Sequence, residues 1–174
     1  MWDSPAAVTM AAGGERVTGD PRLRLYVAHH GDAVGPESNP MRPLSPRGER
    51  QVEDLARDAA ERGAKPHQIW HSGKLRARQT AEAYWRACNP LAQFTAVRGL
   101  LPGDPPVWMA ERLLAEEGEV MVVGHMPHLP RLLRLLLTGD ADAQSVEFPL
   151  NGVVCLEKRA GAWTEDWRLS PPAR

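Results

Sequence analysis

The stretch EVMVVGH at residues 119–125 is the clearest strand of the sequence and decides the fold class. Its uninterrupted apolar run is typical of a strand that is buried on both faces of a parallel sheet. An amphipathic helical pattern, with arginines on its polar side, follows over residues 127–137. A buried strand that leads directly into such a helix indicates an α/β fold.

Strand-like and helix-like segments alternate along the rest of the chain. Short apolar or alternating runs predict the strands, and apolar residues at helical spacing predict the helices between them. The predicted strands are residues 23–28, 68–71, 94–97, 119–124, 153–157 and 163–169, and the predicted helices are residues 46–62, 74–87, a stretch through Trp108, and 127–137. The last two strands form a predicted antiparallel hairpin. This order predicts a three-layer α/β/α sandwich with a mostly parallel sheet, in a single compact domain.

The composition is that of an ordinary globular domain. The chain has 174 residues, of which 43% are hydrophobic and 25% are charged, so it is long enough to bury a core. We expect residues 1–20 to form a poorly ordered extension and residues 21–174 to form the domain. The formal net charge of −1 excludes the broad positive surface with which proteins bind nucleic acid or acidic membranes.

The absence of targeting signals and the small number of cysteines favour a cytoplasmic location. No stretch of about 18 apolar residues could span a membrane, and no basic segment followed by an apolar core marks a secretory signal. The two cysteines, Cys88 and Cys155, are too few for a disulfide framework. We therefore expect a cytoplasmic protein whose partners include neither nucleic acid nor membrane.

Polar residues follow three of the predicted strands at their carboxyl ends. They are HHG at residues 29–31, HS at residues 71–72 and GH at residues 124–125. Ligands of open α/β sheets bind outside the carboxyl ends of the strands, so these groups converge on one candidate site. A neutral imidazole can attack phosphorus and form a labile covalent intermediate, provided that cations stabilise the phosphoryl oxygens. Four arginines lie near these strand ends in sequence: Arg42, Arg47, Arg76 and Arg78.

Four short segments, in the same order, resemble the motifs of the histidine phosphatase superfamily. They are AHHGD (residues 28–32), RPLSPRG (42–48), SGKLRARQT (72–80) and VVGHMP (122–127). A single His-Gly pair is common by chance, but four motifs in order are specific. The short length and the closing WRLSP are similar to the SixA-type phosphohistidine phosphatase branch.

The resemblance implies a phosphoglycerate mutase-like fold and assigns roles to individual residues. His30 falls on the histidine that is phosphorylated during the reaction, and His125 falls on the second histidine of the pocket. Gly31, Arg42 and Arg76 fall on positions that bind the phosphoryl group.

The implied activity is that of a phosphatase that works through a phosphohistidine intermediate. Phosphohistidine on a signalling protein is the expected substrate, and a small phosphorylated metabolite is the alternative. The partner is accordingly a phosphorylated protein or a small phosphorylated molecule. No metal or organic cofactor is implied, because histidine and arginine supply the nucleophile and the positive charge.

The sequence departs from the family motif at His29, where the family has arginine. Arginine holds phosphate with a permanent charge and two parallel donors, whereas a neutral histidine offers one donor. If His29 points into the pocket, we expect it to bind phosphate more weakly, and increasingly so as the pH rises. This departure leaves open a second class of function, a phospho-ligand binding module that is catalytically weakened or inactive.

The general acid is the second open point. Phosphoglycerate mutase-like relatives carry a glutamate that protonates an alcohol leaving group, and here the loop at residues 100–104 offers Asp104 as a catalytic candidate with a shorter arm. Phosphohistidine needs less help from an acid, so Asp104 fits an activated substrate better than a sugar phosphate. A metal site of His29, His30 and His125 is conceivable, but no carboxylate or cysteine at a typical spacing completes it.

Several other side chains are expected to have structural positions and no part in the site. Arg78 is expected to be a solvated helix residue, and His67 and His128 are expected at the surface or at helix caps. The tryptophans at positions 70, 85, 108, 163 and 167 are expected to pack in the core and on the sheet faces.

Overall fold

Strands and helices alternate in the computed structural model, which describes residues 23–173. The strands are β1 (Leu23–His29), β2 (Gln68–His71), β3 (Gln93–Ala96), β4 (Val120–Gly124), β5 (Val153–Arg159) and β6 (Ala162–Leu169), and the helices are α1 (Pro46–Glu61), α2 (Leu75–Cys88), α3 (Pro106–Leu114) and α4 (His128–Thr138). Each predicted element is therefore present, and the ends that were predicted are shifted by at most two residues.

The strands form one sheet in the order β3-β2-β4-β1-β5-β6. The first four strands in this order are parallel, and β5 and β6 add an antiparallel hairpin beside β1. The register places His29 at the end of β1 opposite Gly124 at the end of β4. Because both strands run in the same direction, the residues that follow them, His30 and His125, leave the sheet at the same edge.

Helices cover both faces of the sheet and produce two separate cores. Tyr26 and Ala28 of β1 point to the core beneath α1 and α2, whereas Leu25 and Val27 point to the core beneath α3 and α4. β4 is buried along its whole length, as its apolar sequence predicts. The prediction of a three-layer α/β/α sandwich with a mostly parallel sheet is confirmed.

Helix α1 shows how local sequence fixes the edge of the site. Its N-cap is Ser45, whose Oγ accepts a hydrogen bond from the backbone N–H of Gly48 at 2.9 Å. Pro46 occupies the first helical position, and Gly63 with φ +83° follows the last turn. The Ser45 hydroxyl also donates to Asp32 Oδ2 at 2.6 Å, so this cap ties the helix to the loop after β1.

Two expectations concern the ends of the chain and its relation to membranes. The extension expected over residues 1–20 lies outside the described residues, so the proposed domain boundary stays a prediction. None of the helices within residues 23–173 is both long and apolar enough to cross a membrane.

Candidate active site

Three histidines meet at the carboxyl edge of the sheet, where β1 and β4 end. The ring centroids of His29 and His30 are 4.3 Å apart, and those of His30 and His125 are 5.0 Å apart. The backbone N–H of His30 donates to the carbonyl of Gly124 at 3.2 Å, which fixes the loop after β1 to the end of β4. The strand ends that the sequence singles out therefore converge as parallel topology requires.

The hydrogen bonds of His30 determine which ring nitrogen carries the hydrogen. Nδ1 lies 2.7 Å from the carbonyl oxygen of Gly31, and since a carbonyl can only accept, Nδ1 is the donor. In the neutral ring Nε2 then holds a lone pair, and it accepts a hydrogen bond from Nε of Arg76 at 3.3 Å. His30 thus presents an unprotonated Nε2 directly to a guanidinium group.

Burial keeps His30 neutral. The pKa of His30 is lowered to about 4, mainly by burial and to a smaller extent by the charges of Arg76 and Arg42. The hydrogen bond to Gly31 and the charge of Asp32 act in the opposite direction. A pKa near 4 leaves the imidazole unprotonated at neutral pH, which is the state that a nucleophile requires.

Gly31 lies at a point where two helices closely approach the loop that follows β1. A Cβ at this position would lie 2.5 Å from Cγ2 of Val52, so only glycine fits without a shift. Its backbone N–H donates to Oγ1 of Thr80 at 3.0 Å, and the Thr80 hydroxyl donates to the carbonyl of Arg76 at 2.8 Å. This chain of bonds connects His30 to the helix that carries Arg76.

Arg42 and Arg76 supply the positive charge of the site. Arg76 lies in the first turn of α2, and burial followed by repulsion from Arg42 lowers its pKa. The Nε of Arg42 donates to the carbonyl of Val34 at 3.1 Å, which leaves its two terminal nitrogens for another acceptor. Two guanidinium groups that repel each other beside an imidazole favour an anion between them.

His29 is held in the opposite tautomer to His30. Its Nδ1 accepts the backbone N–H of Asn151 at 2.8 Å, so the hydrogen of the neutral ring is on Nε2. Burial lowers its pKa to about 3, and the neighbouring His30 and Arg76 lower it too. From the sequence we expected phosphate binding through His29 to weaken as the pH rises. The low pKa places that titration well below neutral pH, so His29 offers one neutral donor throughout the neutral range.

His125 is almost completely buried, with 1% of its surface exposed. Its Nε2 lies 2.6 Å from Oγ of Ser72, which itself accepts the backbone N–H of Lys74 at 3.3 Å. Burial lowers the pKa of His125 to about 3, with His30 and Arg76 acting in the same direction. Its Nδ1 is buried and has no hydrogen-bond partner among the described residues. A phosphoryl oxygen could satisfy that nitrogen if it carries the hydrogen.

Asp104 lies in the loop between β3 and α3, where it organises the backbone. Its Oδ2 accepts the N–H groups of Gly99 and Leu101 at 3.1 and 3.0 Å. Within residues 23–173 no hydrogen bond joins it to His30, and the histidine whose pKa its charge raises is His128. A catalytic role for Asp104 stays a prediction.

His128 was expected either at the surface or at a helix cap. The surface position is wrong, and the helix-cap position is only half right. His128 is the first residue of α4, but it is 1% exposed and makes no capping hydrogen bond. Both ring nitrogens are buried without a partner among the described residues. Burial lowers its pKa to about 4, against an ordinary value of 6.5.

His128 should make the protein less stable as the pH falls. Between pH 6.5 and about 4 the unfolded chain binds a proton at this position and the folded chain does not, so the free energy of unfolding decreases with decreasing pH. The expected loss for this residue by pH 5 is about 2 kcal/mol. Denaturant unfolding at pH 7 and pH 5 should therefore show a smaller pH effect in His128→Leu than in the wild type. His67→Leu, at an exposed position, is the control; equal pH effects in wild type and His128→Leu would contradict this account.

The structure adds residues to the site that the sequence did not single out. Asn151 contacts both His29 and His30, and its φ of +54° is unusual for a residue other than glycine. Thr80 was visible only as a member of a motif, and its bond to Gly31 gives it a definite position. Ser72 was expected near the site because it follows a strand end, and its contact with His125 defines its place there. The dipeptide Asn-Gly just before β5 is a turn signal, but it does not reveal which loop it contacts.

Two further points of the sequence analysis concern the position of Arg78 and a possible metal site. Arg78 pairs with Glu82 at 2.9 Å on the exposed side of α2, as expected for a solvated helix residue. Within residues 23–173 no three histidine, cysteine, aspartate or glutamate side chains are arranged to hold a metal ion.

Comparison with known proteins agrees with this geometry. The sequence profile described as Histidine phosphatase superfamily (branch 1) matches residues 26–100. A crystal structure from Agrobacterium tumefaciens, assigned as the phosphohistidine phosphatase SixA, is 27% identical with a TM-score of 0.71, over 86% of this chain and 98% of that one. The resemblance to the histidine phosphatases is confirmed. Together the two matches support a phosphatase, and therefore a hydrolase.

Solved structures of lower sequence identity show likeness of the fold alone. The protein histidine phosphatase SixA complexed with tungstate has a TM-score of 0.74 at 23% identity, over 86% of this chain and 97% of that one. The ecdysone phosphate phosphatase of Bombix mori, also complexed with tungstate, has a TM-score of 0.64 at 14% identity, over 88% and 95% of the two chains. No curated protein matches this chain in sequence.

Proposed function

We propose that this protein removes the phosphoryl group from phosphohistidine on a signalling protein, through a transient phosphorylated His30. The observation that carries the proposal is the tautomer of His30 and the hydrogen bonds that hold it. Its Nδ1 hydrogen is engaged by Gly31, and its Nε2 lone pair faces Arg76 at 3.3 Å. A phosphoryl group bound by that guanidinium would lie against the nucleophilic nitrogen.

The reaction takes two displacements at phosphorus. In the first, Nε2 of His30 forms a bond to phosphorus, and the bond from phosphorus to the substrate nitrogen breaks, leaving its electron pair on the substrate imidazole. In the second, water attacks the phosphorus, the bond to Nε2 breaks, and inorganic phosphate leaves as the water loses a proton to solvent. The carbonyl of Gly31 stabilises the Nδ1 hydrogen while the ring carries the phosphoryl group.

The groups around His30 stabilise the negative charge of the phosphoryl oxygens in both steps. The guanidinium groups of Arg42 and Arg76 would bind the phosphoryl oxygens, and the Nε2 hydrogen of His29 would add a neutral donor. We assign a further donor to Nδ1 of His125, because Ser72 accepts from Lys74 and can then donate its hydroxyl hydrogen to Nε2. No step in this scheme needs a metal or an organic cofactor.

The contacts of Asp32 and Asp104 support a substrate with a good leaving group. Asp32 accepts the hydroxyl of Ser45, and Oδ2 of Asp104 accepts two backbone amides. Neither carboxylate is bonded to a histidine of the pocket within the described residues. A phosphohistidine imidazole leaves with less help from an acid than an alkoxide does. The likeness to a structure assigned as SixA supports the same substrate.

A substrate panel tests the proposal. The wild-type protein is given a phosphohistidine peptide, an aryl phosphate and a phosphoserine peptide, with a chelator present. We expect turnover that is fastest with the phosphohistidine peptide. Fastest turnover with a small phosphate ester would instead favour a metabolite phosphatase. Tungstate binding without any turnover would favour the non-catalytic binding module.

The role of Asp104 is tested by Asp104→Asn, which keeps an oxygen for the amides of Gly99 and Leu101. We expect turnover of the phosphohistidine peptide to stay within about threefold of wild type, and turnover of the phosphoserine peptide to fall by about tenfold or more. Asp58→Asn, on the exposed side of α1, is the control for surface charge. A large loss with phosphohistidine would show that this substrate also depends on Asp104.

We also propose that the protein acts in a reducing compartment such as the cytoplasm. Cys88 and Cys155 are free thiols, and burial raises the pKa of both, to about 11 for Cys88 and to about 12 for Cys155. Thiols of this kind react slowly and are typical of structural cysteines.

A further inference from the structure

Asn151 occupies the turn before β5 and faces the end of β1. It is 121 residues away from His30 in sequence, yet it makes two hydrogen bonds to the histidine pair. Its backbone N–H donates to Nδ1 of His29 at 2.8 Å, and its side-chain Nδ2 donates to the carbonyl oxygen of His30 at 2.8 Å. One residue therefore contacts both the nucleophile and its neighbour.

The backbone conformation of Asn151 allows this double contact. Its φ is +54°, in the left-handed region, which asparagine tolerates better than most residues. The next residue, Gly152, accepts the N–H of His29 at 2.9 Å. The turn thus lies directly against the nucleophile loop, and an asparagine there can direct its N–H and its amide to adjacent residues.

The histidine at position 29 makes one of these bonds possible. Nδ1 of His29 is an acceptor, whereas an arginine side chain has donors only and could not accept the N–H of Asn151. The bond also fixes the His29 hydrogen on Nε2. His29 and Asn151 therefore form a matched pair in this chain.

We propose that Asn151 is the positioning residue of the nucleophile, which holds the His30 backbone by its carbonyl and sets the tautomer of His29. The inference rests on the proposed function, since it concerns the same site. His30 is then held at its N–H by Gly124 and at its carbonyl by Asn151, so its imidazole leaves a backbone that is fixed on both sides. Such positioning matters because small displacements of a reacting group can cost about 10²-fold in rate.

The variant Asn151→Gly isolates the side-chain bond. Glycine keeps the backbone N–H and accepts the positive φ, but removes the amide that donates to His30. We expect kcat to fall by roughly 10- to 100-fold, KM to change by less than about threefold, and the melting temperature to stay close to wild type. The control is Ala160→Gly, which relieves a positive φ of +49° in the β5–β6 turn and should leave kcat unchanged.

A second variant, Asn151→Asp, keeps the size and shape of the side chain. Its carboxylate cannot donate to the carbonyl of His30, so we expect a loss of kcat at least as large as in Asn151→Gly. A kcat within twofold of wild type in either folded variant would overturn the proposal. If one variant does not fold, the other decides.

Nitrogen NMR of histidine-labelled protein gives a readout that does not require turnover. In the wild type we expect His29 with its hydrogen on Nε2 and His30 with its hydrogen on Nδ1. In Asn151→Gly the His29 tautomer should persist, while the His30 resonances shift or broaden as the ring loses its fixed position. Unchanged His30 resonances, or His29 protonated on Nδ1 in the wild type, would overturn the inference. Wild-type protein without turnover would count against the proposed function, whereas these spectra would still decide the role of Asn151.

Discussion

Replacing His30 with alanine is expected to lower kcat/KM for the phosphohistidine peptide by roughly 10⁴- to 10⁶-fold. The variant removes Nε2, the atom that would form the bond to phosphorus. The remaining arginines can bind a phosphoryl group, but they cannot provide a covalent route. Initial rates over a range of substrate concentrations would measure the effect, and a thermal melt would verify that the variant is folded.

The matched control for this variant is His67→Ala, at an exposed histidine outside the pocket. It should retain activity within about twofold of wild type. Activity of folded His30→Ala within tenfold of wild type would contradict the assignment of His30 as the nucleophile. The alternative function, a non-catalytic phospho-ligand binding module, would gain support if the wild type and His30→Ala both bound tungstate and neither released phosphate.

Replacing Arg76 with alanine is expected to have the second largest effect, a loss of roughly 10²- to 10³-fold in kcat. Its Nε contacts Nε2 of His30 at 3.3 Å, so this guanidinium lies next to the position where charge develops on the phosphoryl oxygens. Arg76→Lys should restore only part of the rate, because lysine lacks the planar, forked set of donors.

Arg78→Ala provides a control on the same helix. Arg78 is exposed and pairs with Glu82. Its replacement therefore changes the net charge of α2 by the same amount as Arg76→Ala does, but leaves the contacts of His30 in place. Steady-state kinetics of the two variants should separate a local contact from a general charge effect. Similar losses in Arg76→Ala and Arg78→Ala would contradict the assignment of Arg76 to the phosphoryl group.

The fold was largely predictable because its signals are local. The apolar run of β4 requires a strand covered on both faces, and the Ser45-Pro46 pair marks the start of α1 without reference to any other segment. The convergence of His30 and His125 follows from the rule that parallel strands end at the same edge of a sheet, whereas the order of the strands was not predicted. The motifs then identified the chemistry that this edge carries.

The contacts that position the histidines were not predictable from the sequence. The bond from Asn151 to His29 spans 122 residues and depends on how the β5 turn packs against β1. The opposite tautomers of His29 and His30 follow from the partners of their Nδ1 atoms, which a motif does not specify. A histidine next to a helix start also looks exposed in sequence, whereas the burial of His128 arises from tertiary packing.

The central claim is that a phosphoryl group passes through His30, and trapping that intermediate tests it most directly. Wild-type protein is mixed with a radiolabelled phosphohistidine peptide in a single turnover, quenched in alkali within milliseconds to seconds, digested, and its labelled fragment is sequenced. We predict that the label appears transiently on His30 and disappears as inorganic phosphate forms. Label on any other side chain, or phosphate released in a single turnover with no labelled protein at any time point, would contradict the claim.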